Sequence, residues 1–181
     1  MRRDPALVRL SRDHHHALVV AQGLQRATEA TVATATDSFR SYWELEGAEH
    51  LAVEEQILLP MLAEQARQRE PVVAEVLIEH VVLRRQADHV LADGEGSDRL
   101  VDAHALGASL AEHVRREERV LFPLLERTLS TEELTELGDR LERTPVYRAG
   151  SAGSAPDQDC ADRWLGLNYS STPGAGDSDG G

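Results

Sequence analysis

Apolar residues recur along this chain every three or four positions over long stretches, the period of a helix that buries one face. Pro5 suits a first helical turn, and Leu7, Leu10, His14, Ala17, Ala21 and Leu24 follow on one stripe, which predicts a helix over about 6–32. The Thr and Ala run at 31–36 reads as a connection, with Asp37 as N-cap of a second helix over about 38–67. Its inward positions are Phe39, Trp43, Glu46, His50, Val53, Ile57 and Met61. Pro71 opens a third helix with the stripe Val73, Val76, Leu77, His80, Leu83, Ala87 and Val90, ending near Asp93-Gly94 where Gly-Glu-Gly-Ser is turn chemistry. Ser97 is the expected cap of a fourth helix, with Leu106, Leu110, His113, Glu117, Val120, Leu121 and Leu124 inward. Pro60 and Pro123 fall late in the second and fourth helices and should bend or end them. Ser130-Thr131-Glu132-Glu133 is a capping box that announces a short fifth helix carrying Leu134, Leu137 and Leu141.

The pattern predicts an all-α fold, an up-down four-helix bundle with a short fifth helix over residues 1–145. From Ala149 the composition turns to Gly, Ser, Pro and Asp, with five aspartates against one arginine, so 146–181 is expected to be a disordered acidic tail. Within it, Trp164-Leu165-Gly166-Leu167-Asn168-Tyr169 is an aromatic patch able to dock on the bundle or on a protein partner, the bundle being the blander reading.

Charge and cysteine content narrow the setting. A formal net charge of −13 leaves no basic stripe for a phosphate backbone, so no nucleic-acid partner is expected. No apolar run approaches the ~18 residues of a membrane span, and the amino-terminal arginines have no apolar stretch behind them. The single Cys160 excludes an internal disulfide and suits a cytoplasmic protein.

The eight histidines say more than the charge. His50-Leu51-Ala52-Val53-Glu54-Glu55-Gln56-Ile57-Leu58-Leu59-Pro60 and His113-Val114-Arg115-Arg116-Glu117-Glu118-Arg119-Val120-Leu121-Phe122-Pro123 repeat one pattern. Residues four apart share a helix face, so His50 with Glu54 and His113 with Glu117 each form a two-donor set. His14, in Asp13-His14, and His80, in Glu79-His80, lie on the stripes of the first and third helices, 36 and 33 residues ahead of their partners. Two tandem hairpins thereby aim four imidazoles and two carboxylates into one interior. Ionised glutamates buried in a dry core are costly without cations, and nitrogen with carboxylate oxygen suits iron, manganese or zinc.

These doubled His-x-x-x-Glu-Glu segments with Leu-x-Pro behind them, together with Asp-His near the start and Glu-His in the third helix, resemble the hemerythrin or HHE cation-binding family over about residues 5–127. The resemblance implies two non-haem iron ions in an oxo- or hydroxo-bridged centre, with His14, His50, His80 and His113 as imidazole ligands and Glu54 and Glu117 as bridging carboxylates. It further implies binding or sensing of O2, NO or H2O2, or, as an alternative, an enzyme of peroxide or NO detoxification or iron-sulfur cluster repair. Oxygen-carrying members have a His-x-x-x-His pair on the third helix. Here Val76 and Arg84 stand four residues either side of His80, which argues against reversible oxygen carriage.

Blander readings stand beside these. A lone histidine on an apolar stripe is more often a satisfied core residue, and it is the convergence of four with two glutamates that shifts the balance. His15 is an alternative to His14, while His89 and His104 fall on the far faces of their helices. Glu55 and Glu118 each read as either a surface group or a support for a ligand, with surface favoured for Glu118 beside Arg115 and Arg119. Asp13 and Glu79 are candidates for orienting ligands, or else solvated. The ferritin-like order, Glu-x-x-His, is the reverse of what is present.

Overall fold

The computed structural model describes residues 3–65, 71–92 and 98–144. Among these there is no strand, and five helices account for the architecture. Asp4 caps the first turn by accepting from the Ala6 amide, Pro5–Leu7 form a tight opening turn, and Val8–Gln25 complete α1. Helix α2 (32–65) and helix α4 (99–128) are long and continuous, α3 spans Pro71–Leu91, and α5 spans Thr131–Arg143. Helices α1 to α4 form an up-down bundle in which α1 packs on α2 and α4, and α3 packs on α4. Helix α5 lies across one end, capped by the expected reciprocal Ser130 and Glu133 bonds, with Leu134, Leu137 and Leu141 buried.

Three wide turns, closed by bonds from residue i+5 to residue i, interrupt the α-helical period. Two of them begin on Glu54 and Glu117 and end just ahead of Pro60 and Pro123. Neither proline ends its helix: both helices run on, to Gln65 and Thr128. The wide turn restarts the α-helical ladder, so each proline sits near the start of a new helical stretch, where its missing N–H matters least.

The third wide turn, Trp43–Gly47, corrects the expected register of α2. The extra residue in this turn brings Tyr42 and Gly47 inward, keeps Trp43 half-buried against the same apolar cluster and turns Glu46 out. Glu46 bonds His16 at the surface instead. The same effect on α4 leaves Val120 47% exposed and buries Phe122 fully. On α3, Val72 rather than Leu77 completes the inward stripe.

The expected boundaries also shift. Helix α1 stops at Gln25, and α2 begins at Val32, so Asp37 is interior rather than a cap. Thr36 is compatible with that helix because its hydroxyl donates back to the Val32 carbonyl. Asp98 caps α4, accepting from the Val101 amide; Ser97, Asp93-Gly94, Cys160 and the 164–169 patch lie outside the described residues. The core divides into two apolar clusters, one holding Leu7, Leu62, Phe122 and Leu137, the other Ala21, Phe39, Leu83 and Leu106.

Candidate metal centre

Between these clusters lies one polar layer. On α1, His14 takes the stripe position between Leu10 and Ala17; on α3, His80 sits between Val76 and Leu83; and His50, Glu54, His113 and Glu117 occupy the matching level of α2 and α4. All six side chains are buried, and Glu54, His80 and Glu117 have no exposed surface at all. His14, not His15, enters this layer; His15 is half-buried on the neighbouring face.

The donor atoms crowd a small volume. His50 Nε2 and His14 Nε2 lie 3.2 and 3.8 Å from Glu54 Oε1, and His80 Nε2 is 3.5 Å from Glu54 Oε2. Glu117 Oε2 is 3.0 Å from His14 Nε2 and 3.5 Å from His113 Nε2, and its Oε1 is 3.7 Å from His80 Nε2. The Nε2 atoms of His14 and His50 face each other at 3.1 Å. Despite this closeness, all four oxygens of Glu54 and Glu117, with His80 Nε2 and His113 Nε2, lack a partner in hydrogen-bonding geometry. Buried polar atoms left so are costly and rare. Two sets form within the layer, His14, His50, Glu54 and Glu117, and Glu54, His80, His113 and Glu117, each with one donor atom per residue all within 4.8 Å of one another. Each set could hold a metal ion, and the two share both glutamates. Imidazole nitrogen with carboxylate oxygen is the donor chemistry such an ion needs.

Behind each imidazole stands a carboxylate from the next helix round the bundle. His14 Nδ1 donates to Glu118 of α4 at 2.8 Å, His80 Nδ1 to Glu55 of α2 at 2.9 Å, and His113 Nδ1 to Glu79 of α3 at 3.2 Å. His50 Nδ1 faces Asp13 of α1 at 3.5 Å. The acids thus run α1 to α2, α2 to α3, α3 to α4 and α4 to α1, a closed cycle. An Nδ1–H held by a carboxylate leaves Nε2 as the coordinating nitrogen and fixes the ring plane. Arginines brace three of these acids: Arg3 bonds Glu118 at 2.6 Å, Arg84 grips Glu55 with two bonds, and Arg116 bonds Glu79 at 2.5 Å.

This cycle corrects one expectation and completes others. Glu118 is 8% exposed and holds His14, so it is not a surface group. Glu79 bonds the histidine of α4 and Asp13 faces that of α2, rather than the adjacent His80 and His14. His89 is exposed beside Asp102, as expected, but His104 is half-buried and bonds the Ala27 carbonyl.

The hemerythrin HHE cation-binding domain matches residues 6–125 of this sequence. The chain belongs to that family. No curated protein and no solved structure shows significant similarity to it. Against the five-histidine pattern of oxygen-carrying hemerythrins, Val76 is fully buried in the apolar core and Arg84 is committed to Glu55.

In and beside the hemerythrin-type layer, three imidazoles and three carboxylates shift one another's titration. Burial pushes the His50 imidazole down, but the Glu54 charge and the nearby Asp13 more than reverse this, raising it to about 9. Burial pushes the His80 imidazole down, but the nearby Glu117 and Glu54 carboxylates outweigh it and raise it to about 10. His14 is likewise driven well above its ordinary value, burial being outweighed by Glu117, Glu118 and Glu54. Glu54 falls well below the usual carboxylate range, since the His50 charge and the closeness of the His14, His50 and His80 rings overcome burial. Burial and the Glu54 charge both push Glu117 up, yet His113, His14 and His80 bring it below its ordinary value. Glu118, despite burial, is brought to about 2 by its bond to His14.

Proposed function

We propose that this hemerythrin-family protein holds two iron ions, with His14, His50, His80 and His113 as imidazole ligands and Glu54 and Glu117 shared between the two metals, and that it binds or senses O2, NO or peroxide. The observation that carries this reading is the pair of four-residue sets sharing both buried glutamates. Single structural histidines do not call for two ionised carboxylates at the centre of a bundle; a cation pair does.

Iron in these positions would supply reversible one-electron chemistry and coordination positions open to a small ligand. The chain's own part is positional. Glu118, Glu55 and Glu79 orient three of the imidazoles, and the two apolar clusters keep bulk water from the layer. Phe122 stacks on the His14 ring, 5.1 Å between centroids, and closes one side of it. Such a dry, narrow surround suits a diatomic gas or peroxide and excludes larger substrates. With two imidazoles in each set and Val76 and Arg84 where a fifth imidazole would stand, the donor set favours sensing or redox chemistry over reversible carriage.

The test is spectroscopic. Purified chain loaded with Fe(II) and exposed to air should retain about two irons and develop near-ultraviolet charge-transfer absorption. Colourless protein without iron would reject the proposal. Steady-state loss of peroxide or NO, compared between wild type and His80→Ala, separates turnover from stoichiometric binding.

A further inference from the structure

Helix α3 is apolar on two faces. Val72, Val76, Leu83, Ala87 and Val90 turn inward with His80, whereas Leu77, Ile78, Val81 and Val82 stand 40%, 64%, 65% and 43% exposed. The other large apolar side chains exposed among the described residues, Val19, Leu45, Val101 and Val120, sit on other helices and are scattered along the chain. Scattered exposure of that kind is ordinary, whereas a contiguous apolar stripe marks a surface that something covers. We infer that two copies of this chain associate through α3, packed antiparallel on α3 of the second copy.

The pattern of the stripe is self-complementary. Ile78 and Val81, and likewise Leu77 and Val82, are equidistant from the point midway between Glu79 and His80. A two-fold axis through that point sets Ile78 against the partner's Val81 and Leu77 against the partner's Val82, and then repeats both contacts. Ala74, Ile78, Val81 and Arg85 follow at intervals of four, three and four, the spacing of a seam between paired helices. Small residues of α4, Ala105, Ala108 and Ser109, line the adjoining groove beside Val82, so a second helix can approach closely.

Charge selects the direction. Arg85, at the carboxyl end of the stripe, is exposed and makes no ion pair among the described residues. Glu75, at the amino end, is half-exposed and shared with Arg116 at 3.1 Å. Antiparallel packing brings each Arg85 beside the partner's Glu75, whereas parallel packing would set like charge on like.

Sedimentation equilibrium of the full chain at 10–100 μM should give about twice the 19.9 kDa chain mass. Ile78→Glu should weaken association about 100-fold and yield the single-chain mass with unchanged helical circular dichroism. Arg85→Glu should weaken it about tenfold, and adding Glu75→Arg should restore it, since the pair is then reversed but still matched. A wild-type monomer at 100 μM, or a dimer indifferent to Ile78→Glu, overturns the inference. So does a monomer in which a Val81→Cys thiol is slow to label, for the chain's own 164–169 segment would then be the cover.

Discussion

His50 is the one imidazole of the four whose outer nitrogen is not held in hydrogen-bonding geometry: Asp13 Oδ2 lies 3.5 Å from its Nδ1, whereas Glu118 meets His14 at 2.8 Å. The His80 and His113 set therefore has both imidazoles fixed, and the His14 and His50 set only one. Loss of such support typically costs 10–100-fold in metal affinity. Titration of the metal-free chain with Fe(II) or Co(II) should resolve two steps about tenfold apart, the His80 and His113 position filling first. Glu55→Gln should weaken the tighter step by 10–100-fold and Asp13→Asn the weaker step by only a few-fold. A single isotherm with two equal sites would contradict the asymmetry while leaving two-metal binding intact.

The metal-free chain should lose stability in alkali. His50 and His80 are raised to about 9 and about 10, so their contribution is complete below the unfolded histidine value near 6.5 and fades as pH rises through 9 to 10. Glu118 runs the other way: lowered to about 2, it contributes fully above the unfolded carboxylate value of 4.5 and loses that contribution as pH falls toward 2. Thermal melts of chelator-treated protein should peak between about pH 4.5 and 6.5 and fall by pH 10. Loaded protein should not show the alkaline fall, because a metal ligand is the neutral imidazole.

Much of this was legible in the sequence because burial and helical period speak directly. The six inward polar positions needed only a spacing of four and an apolar stripe on either side. What could not be read was anything set by a wide turn, since the period alone does not reveal one extra residue. The period alone sets Glu46 and Val120 inward, and both face solvent. Helix α3 is apolar on two faces, so its pattern does not say whether Leu77 or Val72 faces the core. The partner of Glu118 is hidden for another reason: His14 lies 104 residues away, and only the adjacency of α4 to α1 brings them together. The signal that hints at it is the second glutamate in both repeats, Glu55 and Glu118, which do the same work at equivalent places.

The approach of α1 to α4 depends on Gly107. A Cβ at this position would stand 2.7 Å from the Ala21 carbonyl oxygen and 2.8 Å from Leu24 Cβ. Neither is the free end of a flexible side chain, so the helices must part. That also strains the bond from Gln25 Nε2 to the Gly107 carbonyl at 2.7 Å. Gly107→Ala should destabilise the bundle by about 1–3 kcal/mol, as overpacking does. Gly23→Ala, at a site with nothing within 4 Å, should leave the melting temperature unchanged or raise it slightly.

Metal should act as a folding ligand. An ion that binds the folded chain and not the unfolded one stabilises by roughly 4 kcal/mol at a thousandfold excess over its Kd, about 10–20 °C in melting temperature for a bundle of this size. Glu54→Leu and Glu117→Leu each remove a carboxylate common to both sets, so each should abolish the gain. Exchanging both glutamates together removes two buried charges, and replacement of buried ions by apolar side chains is often neutral or stabilising. The double variant should therefore melt within a few degrees of metal-free wild type yet take up no metal. If wild type melted at one temperature with and without metal while the double variant unfolded, the glutamates would be structural partners of the imidazoles, and the metal assignment would fail.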